Sequence, residues 1–149
     1  MKKQNNTGAI IALTAAIREQ ANTLILSSLS ERGITDILPA HGAVLNALFK
    51  HNPMKMNELA DRIGRKKNTV TGLITTLEDR GYCRRQSDPQ DARAQLVFLT
   101  EKGEAMRQVQ DEVSIELLQK IWTGIDAQKQ IECVQCLETI LHNLTHNNN

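Results

Sequence analysis

The chain has 149 residues, about the length of one domain, with 40% hydrophobic and 23% charged residues. This balance argues against a disordered chain or a membrane protein, and an aromatic content of 3% favours helices over a β-sandwich or barrel. The net charge of +1 hides a division, because residues 62–107 carry ten basic and six acidic side chains whereas residues 108–149 carry two and six. A basic region inside a nearly neutral chain is typical of a surface that meets nucleic-acid phosphates.

A long first helix is predicted between residues 8 and 31. Its apolar side chains recur at helical spacing, at Ile10, Leu13, Ile17, Ala21 and Leu24. Gly33 then suits the left-handed conformation that ends a helix.

The N-terminal sequence MKKQNNTGAIIALTAAIREQA also imitates a signal peptide, because two lysines precede an apolar run. Against this alternative, Thr14, Arg18 and Glu19 interrupt the run, and the helical stripe continues past the supposed cleavage site. No segment reaches the roughly 18 uninterrupted apolar residues of a membrane span. The three cysteines, an odd number, suit a reducing compartment. We therefore expect a cytoplasmic protein without a membrane partner.

Two shorter helices follow a linker that runs through Pro39. The second helix, about residues 41–50, would bury its apolar side, formed by Val44, Leu45, Leu48 and Phe49. Asn57 is expected to cap a third helix, which Gly64 ends.

The fourth helix, about Lys67–Arg80, is strongly amphipathic. Its inward stripe has the spacing i, i+3, i+4 and i+7, at Val70, Leu73, Ile74 and Leu77. Its opposite face carries small polar residues, namely Asn68, Gly72, Thr75 and Asp79. Such a face can enter the major groove of DNA.

A β-hairpin is predicted next, with strands at Tyr82–Ser87 and Ala94–Leu99 around a turn from Asp88 to Asp91. A helix, a tight turn, a second helix and a basic hairpin form, in this order, a winged helix-turn-helix. The expected fold class is therefore mainly α with a small β-hairpin wing, flanked by helices from both ends of the chain.

Thr100 is expected to cap a fifth helix, and Gly124 with Asp126 separates it from a sixth helix that ends near Leu144. The fifth helix repeats apolar residues at Val109, Val113, Leu117 and Ile121, and the sixth at Val134, Leu137, Leu141 and Leu144. Together with the first helix, they expose more apolar surface than one small module can cover, which predicts a homodimer interface. The alternative is an intramolecular cap. The predicted division is an N-terminal dimerisation helix (1–35), a DNA-binding module (36–100) and C-terminal dimerisation helices (101–149), in one intertwined domain.

The chain resembles the MarR family of bacterial transcription regulators over nearly its whole length. The most specific segments are LADRIG and LEDRGYCRRQSDPQDARAQLVFLTEKG, which contain a DPxDxR wing pattern and an LTxxG cap. The resemblance implies a triangular homodimer whose recognition helices enter successive major grooves of a pseudo-palindrome, with Arg93 of each wing in the adjacent minor groove. It also implies a ligand, often a small phenolic or aromatic acid, between the dimerisation helices and the DNA-binding module. No motif identifies the ligand-binding residues.

Four residues of the outward face of the fourth helix are candidates for contacting base edges: Asn68, Thr71, Gly72 and Thr75. Asparagine can bond adenine bidentately, threonine offers a hydroxyl and a methyl group, and glycine permits close approach. The alternative interpretation is a solvated helix face, and Gly72 could be a packing compromise.

Phosphate contacts are assigned to four basic residues around that helix: Arg65, Lys66, Lys67 and Arg84. Arg93 is expected to read the shape and potential of the minor groove, and Asp91 to hold Arg93 in position. The alternative is a charged hairpin tip without a ligand.

Cys133 and Cys136 form a CxxC pattern, but no second such pair or nearby histidine completes a zinc site. We interpret these two thiols and Cys83 as buried structural groups, with oxidation sensing as the alternative. No phosphate loop, nucleophile elbow or carboxylate pair indicates an enzyme, and no cofactor or metal is expected.

The sequence therefore predicts a DNA-binding, ligand-responsive repressor that acts as a homodimer. The alternative from another class is a helical interaction protein whose basic module binds DNA without reading its sequence.

Overall fold

The computed structural model describes residues 6–146. A short 3-10 helix, Thr7–Ala9, precedes α1 (Ile10–Glu31), and α2 (Pro39–Lys50), β1 (Met54–Lys55), α3 (Met56–Ile63) and α4 (Lys67–Asp79) follow. The hairpin strands β2 (Cys83–Asp88) and β3 (Asp91–Leu99) lead to α5 (Glu101–Ile121) and α6 (Ala127–His146). The chain divides into two compact units, Met1–Ser114 and Ile115–Asn149. The mainly helical fold with a small β wing is confirmed, whereas the proposed three-part division of the chain remains a prediction.

The core of the first unit joins the three helices of the predicted module to its sheet. Side chains without any exposed surface come from all four parts: Val44, Leu45 and Leu48 in α2, Leu59 in α3, Val70, Ile74 and Leu77 in α4, and Val97 in β3. Leu73 is half-buried and packs against this cluster. The predicted inward stripe of α4 is thus confirmed.

The sheet has three antiparallel strands in the order β1, β3, β2. Cys83 pairs with Leu99 and Asp88 pairs with Asp91, so only Pro89 and Gln90 lie between the hairpin strands. The Asp88 carboxylate accepts a hydrogen bond of 2.9 Å from the backbone N–H of Gln90, which stabilises this turn. Strand β1 was not predicted from the sequence, because two residues are too few to show an alternating pattern.

The expected cap at Asn57 was wrong. Lys55 pairs with Leu96 as part of β1, so the chain leaves extended geometry at Lys55 and α3 begins at Met56. Asn57 therefore lies inside the first turn of α3. At the other end, Gly64 adopts the left-handed conformation, with φ of 64°, and ends the helix as predicted.

The first turn of α5 packs directly on the backbone that leaves α4. The Thr100 hydroxyl accepts a hydrogen bond of 3.1 Å from the Gly103 N–H, which confirms Thr100 as the cap. A Cβ atom at Gly103 would lie 2.0 Å from the carbonyl oxygen of Tyr82. Glycine is therefore required at this position by a backbone that cannot move aside cheaply.

In the second unit, the Asp126 carboxylate caps α6 by accepting a hydrogen bond of 3.0 Å from the Lys129 N–H. The apolar side chains that recur along α6 are exposed, namely Ile131, Val134, Leu137, Leu141 and Leu144. At the other end of the chain, the segment Thr7–Glu31 contains an 18-residue window with a mean hydropathy of 1.2 and is long enough to pass for a membrane span. That likeness rests on length and composition only, and a core helix of a soluble protein or a signal sequence passes the same test.

Replacing Gly103 with alanine is predicted to lower the free energy of unfolding by about 1–3 kcal/mol, because the added methyl group collides with the Tyr82 carbonyl. The matched control is Gly72→Ala in α4, where a Cβ meets nothing within 4 Å. That variant is expected to gain roughly 0.5–1 kcal/mol from helix propensity. Urea unfolding of both variants measures the two changes, and equal stability of the two would contradict the assigned packing role.

Candidate nucleic-acid interface

The outward face of α4 is exposed while its opposite face is locked in the core. Asn68, Thr71, Gly72 and Thr75 are all exposed, whereas Val70, Ile74 and Leu77 have no exposed surface. The four predicted base-facing residues therefore share an accessible surface on a helix that the core holds firmly.

Two hydroxyl groups on this face are already used as donors. The Thr71 hydroxyl donates to the carbonyl of Lys67, and the Thr75 hydroxyl donates to the carbonyl of Thr71, each at 2.9 Å. With the hydrogen turned inward, each side chain presents an oxygen lone pair and a methyl group to the outside. This arrangement suits an amino group of adenine or cytosine, or the methyl group of thymine.

Gly72 has open space around the position of a Cβ atom, within the part of the chain that the structure describes. Packing against the described residues therefore does not require a glycine here. The explanation of Gly72 as a packing compromise therefore has no support among the described contacts. Close approach of another molecule to α4 would still be a reason for a glycine at this position.

A cleft of about 260 Å³ joins α4 to the wing. Lys67 and Thr71 line it from α4, and Arg93, Ala94 and Gln95 line it from β3. Lys55, Met56 and Asn57 complete its wall. The cleft brings predicted residues from the helix and from the wing to one surface. Lys55 was not predicted as a member of this surface, because the short β1 that carries it gave no signal in the sequence. Gln95 was not singled out either, although its strand was predicted.

Most of the predicted cationic residues are free of acidic partners. Within residues 6–146, Arg65, Lys66, Lys67 and Arg93 are exposed and form no ion pair. Their positive charges are therefore not neutralised by the described part of the chain and are available to phosphate groups.

Arg84 and its neighbour Arg85 differ in the way that strand alternation dictates. The Arg84 guanidinium is exposed and lies 5.3 Å from the centre of the Phe98 ring. The Arg85 guanidinium instead contacts the Glu78 carboxylate at 2.9 Å, and the Arg85 backbone N–H donates to the same carboxylate at 2.7 Å. These bonds lower the pKa of Glu78 and tie β2 to α4. Arg84 is thus the accessible member of the pair.

Asp91 acts on the wing backbone. Its carboxylate accepts a hydrogen bond of 3.0 Å from the backbone N–H of Arg93, which fixes the chain at that residue. The predicted orienting role of Asp91 thus has a concrete contact, although the contact is with the backbone and not with the guanidinium group.

The family model that matches this chain is that of the MarR family, over residues 38–94. The chain is similar to the HTH-type transcriptional repressor MdtR of Bacillus subtilis, with 30% identity over 89 residues, or 60% of this chain and 56% of MdtR. The chain thus spans about half the length of the curated relatives that it matches.

Solved structures resemble the fold over most of the chain. The PcaV transcriptional regulator of Streptomyces coelicolor, in complex with its natural ligand, matches 92% of each chain with a TM-score of 0.80 and 20% identity. Reduced AbfR bound to DNA matches 92% of this chain and 91% of its own, with a TM-score of 0.70 and 19% identity. At these identities the likeness establishes the fold.

The cysteines fall into two groups. Cys83 is buried, its thiol points to the Ile74 carbonyl at 3.8 Å, and burial raises its pKa to about 11. Cys133 and Cys136 are exposed on α6, so the expectation that they are buried was wrong. The helical stripe on which that expectation was based is itself uncovered in the single chain.

His41 has a structural role at the start of α2. His41 is buried, and its Nδ1 accepts a hydrogen bond of 3.0 Å from the Leu38 N–H at the start of α2. Burial lowers its pKa, which keeps Nδ1 free to accept this bond at neutral pH. Among the described residues, no three histidine, cysteine or acidic side chains are grouped to hold a metal ion.

Thiol labelling of the native chain at pH 8 should leave Cys83 unmodified. The thiolate is the reactive species, and the pKa of about 11 leaves less than one part in a hundred of Cys83 ionised. Mass spectrometry after a short pulse of iodoacetamide identifies the labelled sites, and unfolding in urea provides the control in which all three react. Fast labelling of native Cys83 would show that this thiol is not held in the core.

Proposed function

We propose that this chain is a member of the MarR family and a sequence-specific double-stranded DNA-binding regulator that acts as a homodimer on a pseudo-palindromic operator. The family comprises transcriptional regulators and not enzymes. The observation that carries the proposal is the single surface on which the outward face of α4, the cleft and Arg93 of the wing lie together.

The charge and shape of this surface fit the two grooves of duplex DNA. A helix of small polar residues suits the major groove, and an unpaired arginine on a hairpin suits the narrow minor groove beside it. Arg65, Lys66, Lys67 and Arg84 surround α4 and supply contacts with phosphates. The DNA-bound state of AbfR, a protein of the same fold, is consistent with this assignment.

A second copy of the chain is the proposed partner of the apolar helices. Fifteen large apolar side chains are exposed among the described residues, and all but Leu38 lie on α1 or at Ile115 and beyond. Exposed apolar side chains along a helix mark an interaction surface, and a dimer would also present two recognition helices about 34 Å apart, one turn of DNA. Sedimentation equilibrium should give twice the chain mass of 16.7 kDa, and a monomer at micromolar concentration would remove this part of the proposal.

The regulator is proposed to be a repressor whose DNA affinity a small aromatic or phenolic ligand changes. MdtR is named as a repressor, and PcaV was solved with its natural ligand. A ligand that alters the separation of the two recognition helices would weaken binding to both half-sites together. We place this activity in the cytoplasm, where DNA is accessible.

Arg93→Ala is predicted to weaken binding to the operator about tenfold, or about 1.4 kcal/mol, while the dimer and its thermal stability are unchanged. The arginine is exposed and unpaired among the described residues, so its loss should weaken DNA binding and leave the fold unchanged. Fluorescence anisotropy with a labelled duplex at physiological salt measures the change. The matched control is Lys50→Ala, because Lys50 is an exposed cation of the same module that lies in the separate groove between α2 and α3.

If Arg93→Ala binds within twofold of the wild type, the wing does not contact DNA. An equal loss in Arg93→Ala and Lys50→Ala would indicate general charge attraction. Equal affinity of the wild type for all duplexes would favour the alternative, a helical interaction protein with a non-specific basic module.

A further inference from the structure

The backbone at the end of the recognition helix α4 is bound at three successive carbonyl groups. We call residues 80–82 the helix exit. The Arg80 carbonyl accepts a hydrogen bond of 2.7 Å from the Lys102 ammonium group, and the Gly81 carbonyl accepts one of 2.5 Å from the Thr100 hydroxyl. The Tyr82 carbonyl accepts one of 3.2 Å from the Thr100 N–H. All three donors belong to the start of α5.

The side chains of the helix exit reach in another direction, to Asp36 in the linker between α1 and α2. The Tyr82 hydroxyl donates to the Asp36 carboxylate at 2.7 Å, and the Arg80 guanidinium donates to the Asp36 backbone carbonyl. Lys102 lies between these groups, with its ammonium 3.9 Å from the other carboxylate oxygen of Asp36 and 4.2 Å from the centre of the Tyr82 ring. One carboxylate thus connects the linker, the helix exit and α5.

Two features favour the hydrogen bond between Tyr82 and Asp36: the burial of Tyr82 and the negative charge of the acceptor. Tyr82 is 3% exposed, so its hydroxyl needs a partner, and a carboxylate acceptor makes a stronger hydrogen bond than a neutral one. Burial, followed by the bond to Asp36, raises the pKa of Tyr82 to about 12. The hydroxyl therefore keeps its proton and remains a donor at neutral pH.

We infer that Asp36 is a positioning residue for DNA recognition, which sets the direction of α4 by fixing the helix exit to the linker that follows α1. This inference rests on the proposed function, and Asp36 itself is not expected to touch DNA. Asp36 lies in the linker that follows α1, and Thr100 and Lys102 lie at the start of α5. The residues that hold the helix exit are therefore directly connected to α1 and α5, the proposed dimerisation helices.

The length of α4 makes its direction sensitive to this fixation. Asn68 lies twelve residues before Arg80, which corresponds to about 18 Å along a helix. A tilt of about 5° at the helix exit would move the start of α4 by roughly 1.5 Å, more than the tolerance of a hydrogen bond to a base. Contacts with phosphates, made by flexible lysine and arginine side chains, tolerate such a shift. Loss of the fixation should therefore reduce specificity more than total DNA affinity.

The experiment compares specific and non-specific DNA binding by the full chain and its variants. The probes are the duplex that the wild type selects from a random library and a scrambled duplex of equal length, and the measured quantity is the ratio of the two affinities. The variants are Asp36→Asn, Tyr82→Phe and the double variant. The matched control is Glu31→Gln, which removes one negative charge from an exposed position at the end of α1.

Asp36→Asn and Tyr82→Phe should each lower the ratio about tenfold, the upper range for changes that act through coupling. The double variant should be no worse than Asp36→Asn alone, because both substitutions remove the same contact. The dependence of affinity on salt should be the same as in Glu31→Gln, since no phosphate contact is lost. Glu31→Gln itself should remain within twofold of the wild type.

A ratio within twofold of the wild type in Asp36→Asn, or losses that multiply in the double variant, would overturn the inference. If Asp36→Asn does not fold, Tyr82→Phe decides in the same way, because the phenylalanine ring keeps the core packing and the contact with Lys102. A wild type that makes no distinction between duplexes would instead refute the proposed function, so the two failures are distinguishable.

Discussion

The interaction on which the rest of the structure depends is the burial of the inner face of α4 in the core of the first unit. Val70, Ile74 and Leu77 have no exposed surface and pack with residues of α2, α3 and β3. Complete burial of each such side chain contributes about 1.5–3 kcal/mol, so rotation of α4 about its own axis would be costly. Because the opposite face is buried in the core, the outward face of α4, with Asn68 at one end and Thr75 near the other, is exposed to solvent.

The C-terminal end of α4 is held by polar contacts in addition to the apolar burial of its inner face. The carbonyl groups of residues 80–82 are bound by the start of α5, and the absence of a side chain at Gly103 allows α5 to approach the Tyr82 carbonyl. Near the wing, Glu78 of α4 binds both the guanidinium and the backbone N–H of Arg85. These contacts join α4 to the hairpin, so that in the proposed complex the contacts of the helix and of the wing with DNA would depend on each other.

Much of the fold could be predicted from the sequence because its signals are local. The spacing of apolar residues in α4, the turn at Asp88 and the Thr100 cap each require only neighbours in the chain. The start of α3 was missed because it depends on pairing of Lys55 with Leu96, forty-one residues away. The contacts of Asp36 with Arg80 and Tyr82, forty-four and forty-six residues away, were missed for the same reason. Burial of Cys133 and Cys136 was predicted wrongly, since a helical stripe shows which side can be covered but not by what.

The most direct test of the account is the selection of binding sites by the purified protein from a random duplex library at physiological salt, followed by titration of the recovered sequence against scrambled DNA. A dimeric regulator should select an inverted repeat whose half-sites lie about one turn apart and which binds roughly a thousandfold tighter than scrambled DNA. Recovery of no common sequence, with equal affinity for every duplex, would contradict it.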